Sequence, residues 1–186
     1  MIMYTPPNSE LIRIVAQKNS DFIVDHTTRV VLIAEQLRNQ LGGDQKILVP
    51  AAFLHDIEFY AGVKGHGQRG AEVFRKIFDG RYSPEAIEQI AHCIESHPAR
   101  YAPAPITIEA KCLRDADRID AIASFVPQRY LASFKKCGDE ELAWTECMQR
   151  IGEWYSSMVT DIGKERFLAI TIEMQKIFPQ LTDLKL

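Results

Sequence analysis

Apolar residues recur three and four positions apart along nearly the whole chain, whereas period-two alternation is confined to Ile106-Thr107-Ile108. The first spacing lines one face of an α-helix and the second one face of a strand, so the pattern predicts an all-α fold. Start signals punctuate it. Ser20 before Asp21, Ser83 before Pro84-Glu85, and Thr107 before Ile108-Glu109 each offer an N-cap, with an acid or a proline in the first turn. Helices are expected at about 8–18, 21–41, 47–59, 67–79, 84–97, 108–123, 127–136, 139–158 and 161–177. Gly42-Gly43, the Gly62-to-Gly67 loop and the Pro98, Pro103, Pro105 segment separate them. Pro50 is awkward inside the third helix because its ring meets the preceding turn; a start near Val49, with Pro50 in the first turn, is the alternative. Neither a linker nor an internal repeat divides the 186 residues, which read as one domain over 1–186.

The same stripes place the histidines. His26, Val30, Ile33, Leu37 and Leu41 share one helix face, and Leu48, Ala51, Ala52 and His55 share another, with Asp56 one position round the cylinder. His66 aligns with Gly70, Val73 and Ile77, and His97 with Ile87, Ile90 and Ile94. Each stripe has a histidine at one end. In the next helix Ala110, Leu113, Asp117 and Ala121 are in line, so an acid stands where the pattern calls for an apolar side chain. A buried carboxylate is costly unless it is paired, hydrogen-bonded or bound to metal.

Each residue alone has a plain structural reading: a histidine on an apolar face is more often packed in a core, and Asp117 could pair with Arg29 or Arg114. Together, four imidazoles and two carboxylates match the ligand preferences of divalent Mn, Fe, Co, Ni or Zn, with Mg a further candidate, far better than those of a core. His92 and Asp115 serve as internal controls. They lie about 200° round their helices from Ile90 and Asp117 and should face away from any common centre.

Composition narrows the partners. With 22 Lys+Arg against 25 Asp+Glu, a formal charge of -3 supplies no basic field for general nucleic-acid binding. The longest apolar run, Ile47 to Leu54, is far short of the roughly 18 residues that span a membrane. The start, Met1-Ile2-Met3-Tyr4-Thr5-Pro6-Pro7, has neither the basic region nor the apolar core of a signal peptide. Cys93, Cys112, Cys137 and Cys147 form no Cys-x-x-Cys pair and read as reduced core residues, so a cytoplasmic protein is expected. Trp144, Met148, Ile151, Tyr155 and Met158 form a C-terminal stripe, most simply core packing; it could cover the metal end of the bundle or a homodimer interface.

The order of these residues resembles the HD-domain superfamily of metal-dependent phosphohydrolases. The match runs through Asp25-His26-Thr27-Thr28-Arg29-Val30, Ala51-Ala52-Phe53-Leu54-His55-Asp56-Ile57, Gly65-His66-Gly67-Gln68-Arg69-Gly70-Ala71, Ile94-Glu95-Ser96-His97 and Asp115-Ala116-Asp117-Arg118-Ile119-Asp120. It covers about residues 20–123 and implies a helical bundle of the HD type, with helices at about 127–177 packed on that core. The resemblance further implies that His26, His55, Asp56 and Asp117 hold one metal and that Asp56 bridges to a second held by His66 and His97.

Such a site would hydrolyse a phosphate ester or nucleotide through a metal-activated hydroxide. Asp56 would be the catalytic residue, bridging the ions and orienting the water, while Arg29, Lys64 and Arg118 are candidates to meet substrate phosphate. Several branches of the family carry Lys or Glu three positions after the motif Asp, where this chain has Phe59, so no second catalytic group carries over. Glu58 reads as a solvated helix-end acid. Two other functions stay open: a di-iron oxygenase, although the Gln-rich helix associated with that branch is missing, and a metal-binding sensor domain without turnover.

Overall fold

Side-chain caps fix where the helices begin. In the computed structural model, which describes residues 8–60, 64–98, 100, 102–184 and 186, eight α-helices follow one another. They are α1 (Asn8–Ala16), α2 (Asp21–Leu41), α3 (Gln45–Leu54), α4 (His66–Ile77), α5 (Pro84–Ser96), α6 (Ile108–Cys137), α7 (Glu140–Ser156) and α8 (Asp161–Ile177). A short 3-10 helix, Pro179–Asp183, follows α8, and no strand occurs among the described residues. The Ser83 hydroxyl accepts from Ala86 N and the Thr107 hydroxyl from Ala110 N, satisfying amides that the first turn leaves without partners. Ser20 stands at the N-cap of α2, but its side chain makes no cap bond.

Pro50 and Pro127 both lie inside helices. α3 begins at Gln45, not near Val49, so Pro50 is internal. The amide that Pro50 lacks would have served the carbonyl of Lys46, an exposed residue that water can satisfy. The expected helices at 108–123 and 127–136 are one helix, α6, running straight through Pro127. Its missing amide falls opposite Ala123, which is likewise exposed. α3 also stops at Leu54, short of the expected 59, and residues 55–58 continue as tight turns.

Every residue of α3 from Ile47 to Leu54 is buried, so the longest apolar run in the sequence is the central helix of the core. α1, α2, α5 and α6 pack around it. The long α6 packs against α2, α3, α5, α7 and α8. In the C-terminal stripe Trp144, Ile151 and Met158 are buried, while Met148 and Tyr155 pack against the same core. The stripe therefore serves packing within the chain. All four thiols are free; Cys93, Cys112 and Cys147 are buried, but Cys137 is exposed and is no core residue. No helix among the described residues is long and apolar enough to cross a membrane.

Candidate metal centre

The backbone brings the histidines together by ending helices beside one another. His55 is the C-cap of α3 and Asp56 follows it; His97 is the C-cap of α5; His66 opens α4 after Gly65, whose φ of 77° suits a residue without a Cβ. α4 and α5 approach closely at Gly67, where an added Cβ would lie 2.9 Å from the Ile94 carbonyl oxygen and 2.9 Å from the Pro98 ring. Only glycine permits that contact, and the contact sets His66 beside His97. His26 comes from within α2 and Asp117 from within α6.

Asp56 is the centre of the arrangement. Its Oδ2 lies 3.7 Å from His26 Nε2 and 3.6 Å from His55 Nε2, while its Oδ1 lies 3.4 Å from both His66 Nε2 and His97 Nε2. Asp117 Oδ1 is 3.3 Å from His26 Nε2 and 4.0 Å from His55 Nε2. The Nε2 atoms of His26 and His55 are 3.3 Å apart, and those of His66 and His97 are 3.0 Å apart. All of these residues are buried except His66, which is partly exposed.

The far side of each deeply buried ring is already committed. His55 Nδ1 donates to the Ala52 carbonyl and His97 Nδ1 to the Ile94 carbonyl, both at 2.7 Å. A carbonyl can only accept, so in the neutral ring Nε2 carries a lone pair and points it at carboxylate oxygens and other ring nitrogens. Lone pairs facing one another across 3.0–4.0 Å are what a cation would relieve. Ligands about 2.1 Å from a shared ion lie roughly 3–3.5 Å apart. His26, His55 and Asp117, and separately His55, Asp56 and His97, could each hold a metal ion on this geometry.

Charge in the cluster follows the same logic. Burial and the neighbouring His97 push the His66 pKa down to about 4, and burial also lowers that of His97, which keeps both rings neutral and available as ligands. For His26, burial opposes the charge, but hydrogen bonds to Asp117 and Asp120 outweigh it and raise the pKa to about 10. Burial likewise opposes the charge on Asp56 and Asp117. Arg118 and His26 nevertheless hold Asp117 well below the ordinary carboxylate range. A metal on this side would take the place of the His26 proton.

Asp120, which the apolar stripes do not single out, is the outer support. Its Oδ2 is 2.7 Å from His26 Nδ1, and it accepts from Arg29 Nε at 2.7 Å and from the Ser124 hydroxyl at 2.7 Å. A partner of this kind fixes the tautomer and direction of a ligand ring. Its signal in the sequence was its place one turn after Asp117. Arg29, expected near substrate, is spent on Asp120 and Ser124 and does not line the cavity beside the cluster. Arg118 does line it, donating to Asp117 and to the His97 carbonyl, and Lys64 lines it as well.

The two controls point elsewhere. His92 Nε2 accepts from Ile106 N, and Asp115 is buried against the start of α8, where it accepts from Val159 N, Thr160 N and the Thr160 hydroxyl. Glu58 pairs with Lys18 at 2.5 Å.

The cavity over the cluster encloses about 550 Å³, enough for a ligand of nucleotide size. Its wall carries His26, Asp56, His66, His97 and Asp117 and, among others, Arg129, Arg150 and Trp154.

An all-helical bundle with this His-Asp centre defines a recognisable class. The HD-domain family matches residues 23–122, more than half of the chain, and the chain belongs to that family. No curated protein matches the sequence. Among solved structures, YpgQ of Bacillus subtilis in complex with ADP is 21% identical, with a TM-score of 0.63 over 93% of this chain and 98% of its own. An HD-superfamily hydrolase from Bacillus thuringiensis is 19% identical, with a TM-score of 0.66 over 93% and 91%. A predicted HD-superfamily hydrolase from an uncultured Thermotogales bacterium is 21% identical, with a TM-score of 0.61 over 92% and 90%. At these identities the likeness is one of fold.

Proposed function

We propose that the chain is a metal-dependent phosphohydrolase acting on a phosphate ester or nucleotide. The observation that carries this reading is the division of Asp56: one carboxylate oxygen faces His26 and His55, the other faces His66 and His97. In this reading His26, His55, Asp56 and Asp117 would hold one divalent ion, and His66 and His97, with Asp56, would hold a second. When bound, two such ions supply an activated water and neutralise charge on a phosphoryl group.

The remaining work falls to the protein. Asp56 is the catalytic residue, orienting the nucleophilic water between the two sides of the centre. Asp120 keeps the His26 ring in line. Arg118, buried and pinned to the His97 carbonyl, and Lys64, at the cavity wall, meet phosphate oxygens. Arg29 has no part in substrate binding here; it supports Asp120. The ADP held by the fold relative from B. subtilis supports a nucleotide-like ligand. The whole chain acts as one domain, with α7 and α8 packed on α6. Buried, unpaired thiols suit a cytoplasmic setting.

Metal analysis of protein purified without chelator, followed by a screen of phosphomonoesters, phosphodiesters and nucleotides with that metal, tests the reading. The expected result is close to two metals per chain with excess metal, and turnover that Asp56→Ala abolishes together with metal content. Full metal content in Asp56→Ala, or no turnover of any phosphate compound, would overturn it. Oxygen consumption with an organic substrate would assign the site to oxygenation instead.

A further inference from the structure

α7 and α8 lie beyond residues 23–122, the part matched to the family, yet the turn between them touches the stretch of α6 that bears Asp117. The contact has two parts. Val159 N and Thr160 N donate to the Asp115 carboxylate, which seats the turn on α6. Ser157, the C-cap of α7, accepts from Arg118 Nε at 3.2 Å. Its one hydroxyl hydrogen goes to the Trp154 carbonyl at 2.7 Å, so it is an oxygen lone pair that faces Arg118.

Arg118 carries that contact into the metal centre. It is buried, and each guanidinium nitrogen has an acceptor: Nε the Ser157 hydroxyl, Nη1 the Asp117 Oδ2, and Nη2 the His97 carbonyl at 2.9 Å. The two tips of the fork thus go to opposite sides of the centre. Asp117 faces His26 and His55 through Oδ1, and pairing its Oδ2 with Arg118 fixes which oxygen turns inward. Holding the His97 carbonyl fixes the end of α5, where the His97 ring is mounted. Arg114, one turn earlier on α6, takes the neighbouring Ser96 carbonyl at 2.9 Å, so α5 is anchored without Arg118. What Arg118 adds is the link from His97 to Asp117. One hydrogen on each Nη is left over for a ligand.

Packing alone does not require a hydroxyl at position 157, because the Ser157 backbone amide already closes the end of α7 on the Glu153 and Trp154 carbonyls. Without the hydroxyl, Arg118 would keep a buried Nε–H that has lost its acceptor, which is costly. A guanidinium is planar and rigid, so it finds a new acceptor for Nε only by turning as a whole, and Nη1 and Nη2 turn with it.

We infer that Ser157 is a positioning residue of the metal centre: acting through Arg118, it holds Asp117 on one side and His97 on the other in the directions that a metal requires. The C-terminal helices are then part of the site and not only its packing. This rests on the metal-binding half of the phosphohydrolase reading and not on what is turned over.

Calorimetric titration of Mn²⁺ into the full-length, chelator-treated protein tests the inference apart from turnover. Ser157→Ala should lower Mn²⁺ affinity about three- to ten-fold, less than the 10–100-fold that follows loss of a group touching the ligand itself. Ser157→Thr, which keeps the hydroxyl, should stay close to wild type. In an Arg118→Lys background, which lacks the Nε–H, Ser157→Ala should change nothing further, because both substitutions break the same path. A serine that only capped α7 would, on replacement by Ala, lower the thermal midpoint of the metal-free protein and leave Mn²⁺ affinity at the wild-type value, and that result overturns the inference. So does a loss of affinity as large in the Arg118→Lys background as in wild type. If Ser157→Ala weakens Mn²⁺ binding as stated while metal-loaded wild type turns over no phosphate compound, the positioning role stands and the hydrolase reading falls. An absence of saturable Mn²⁺ binding to wild type overturns both.

Discussion

The two sides of α6 each bury a carboxylate, and they do so for different ends. Asp117 turns toward α2 and the histidine cluster, where its neighbours are ring nitrogens and Arg118. Asp115, two residues earlier, turns toward α8 and is satisfied by two backbone amides and a hydroxyl at that helix's start. One carboxylate is completely answered by protein donors. The other shares a pocket with lone pairs that no protein donor answers, and this contrast separates a structural acid from a candidate ligand more sharply than burial does. Gly163 belongs to the structural side: an added Cβ would come within 2.8 Å of the Asp115 carboxyl carbon.

The largest effect should come from the ligand side. Asp117→Ala is expected to lose metal and phosphohydrolase turnover together, measured by elemental analysis and steady-state assay, while the fold survives by circular dichroism. Retention of both would break the contrast at once. Asp115→Ala should do the reverse, leaving metal content near wild type and lowering stability by about 2–4 kcal/mol in urea denaturation, because three donors at α8 lose their acceptor. A metal-free but equally stable Asp115→Ala would mean that the sides of α6 are wrongly assigned.

Asp120→Asn tests the support behind His26 and should weaken metal affinity about 10–100-fold without abolishing binding, read by competition with a chromophoric chelator. No change in affinity would make Asp120 merely the partner of Arg29. The smallest effect belongs to His92. Its replacement by Ala removes one hydrogen bond at the surface, worth about 1 kcal/mol, and should leave metal content unaltered. His97→Ala, five residues on, should lower metal content and also the thermal midpoint, since metal that binds only the native state stabilises it by mass action.

Much of this centre was legible in the sequence because helical phase is a strong constraint. Once His26, His55, His66 and His97 each fall at an end of an apolar stripe, burying the stripes forces the imidazoles together. What phase cannot tell is which charged group a cation chooses. Arg29 read as a substrate contact because it lies near His26 along the chain, yet its partner, Asp120, is 91 positions away. Pro50, read as awkward inside its helix, misled for a related reason. Proline removes one amide, and whether that breaks a helix depends on whether the orphaned carbonyl can reach water, a tertiary fact settled at Lys46 and Ala123 by exposure. Arg129 carried no signal of its own, since its place on the cavity wall shows only once the neighbouring helices are placed.

The continuity of α6 through Pro127 has a consequence for how the cavity could change its length. Inserting one residue between Ala121 and Arg129 would swing the arginine about 100° off the cavity wall, and only an insertion of a full turn, about four residues, would return it. Reach along this wall is therefore adjustable only in steps of about 5 Å. Lineages that lengthen or shorten α6 here should do so by whole turns or lose Arg129 from the cavity wall altogether.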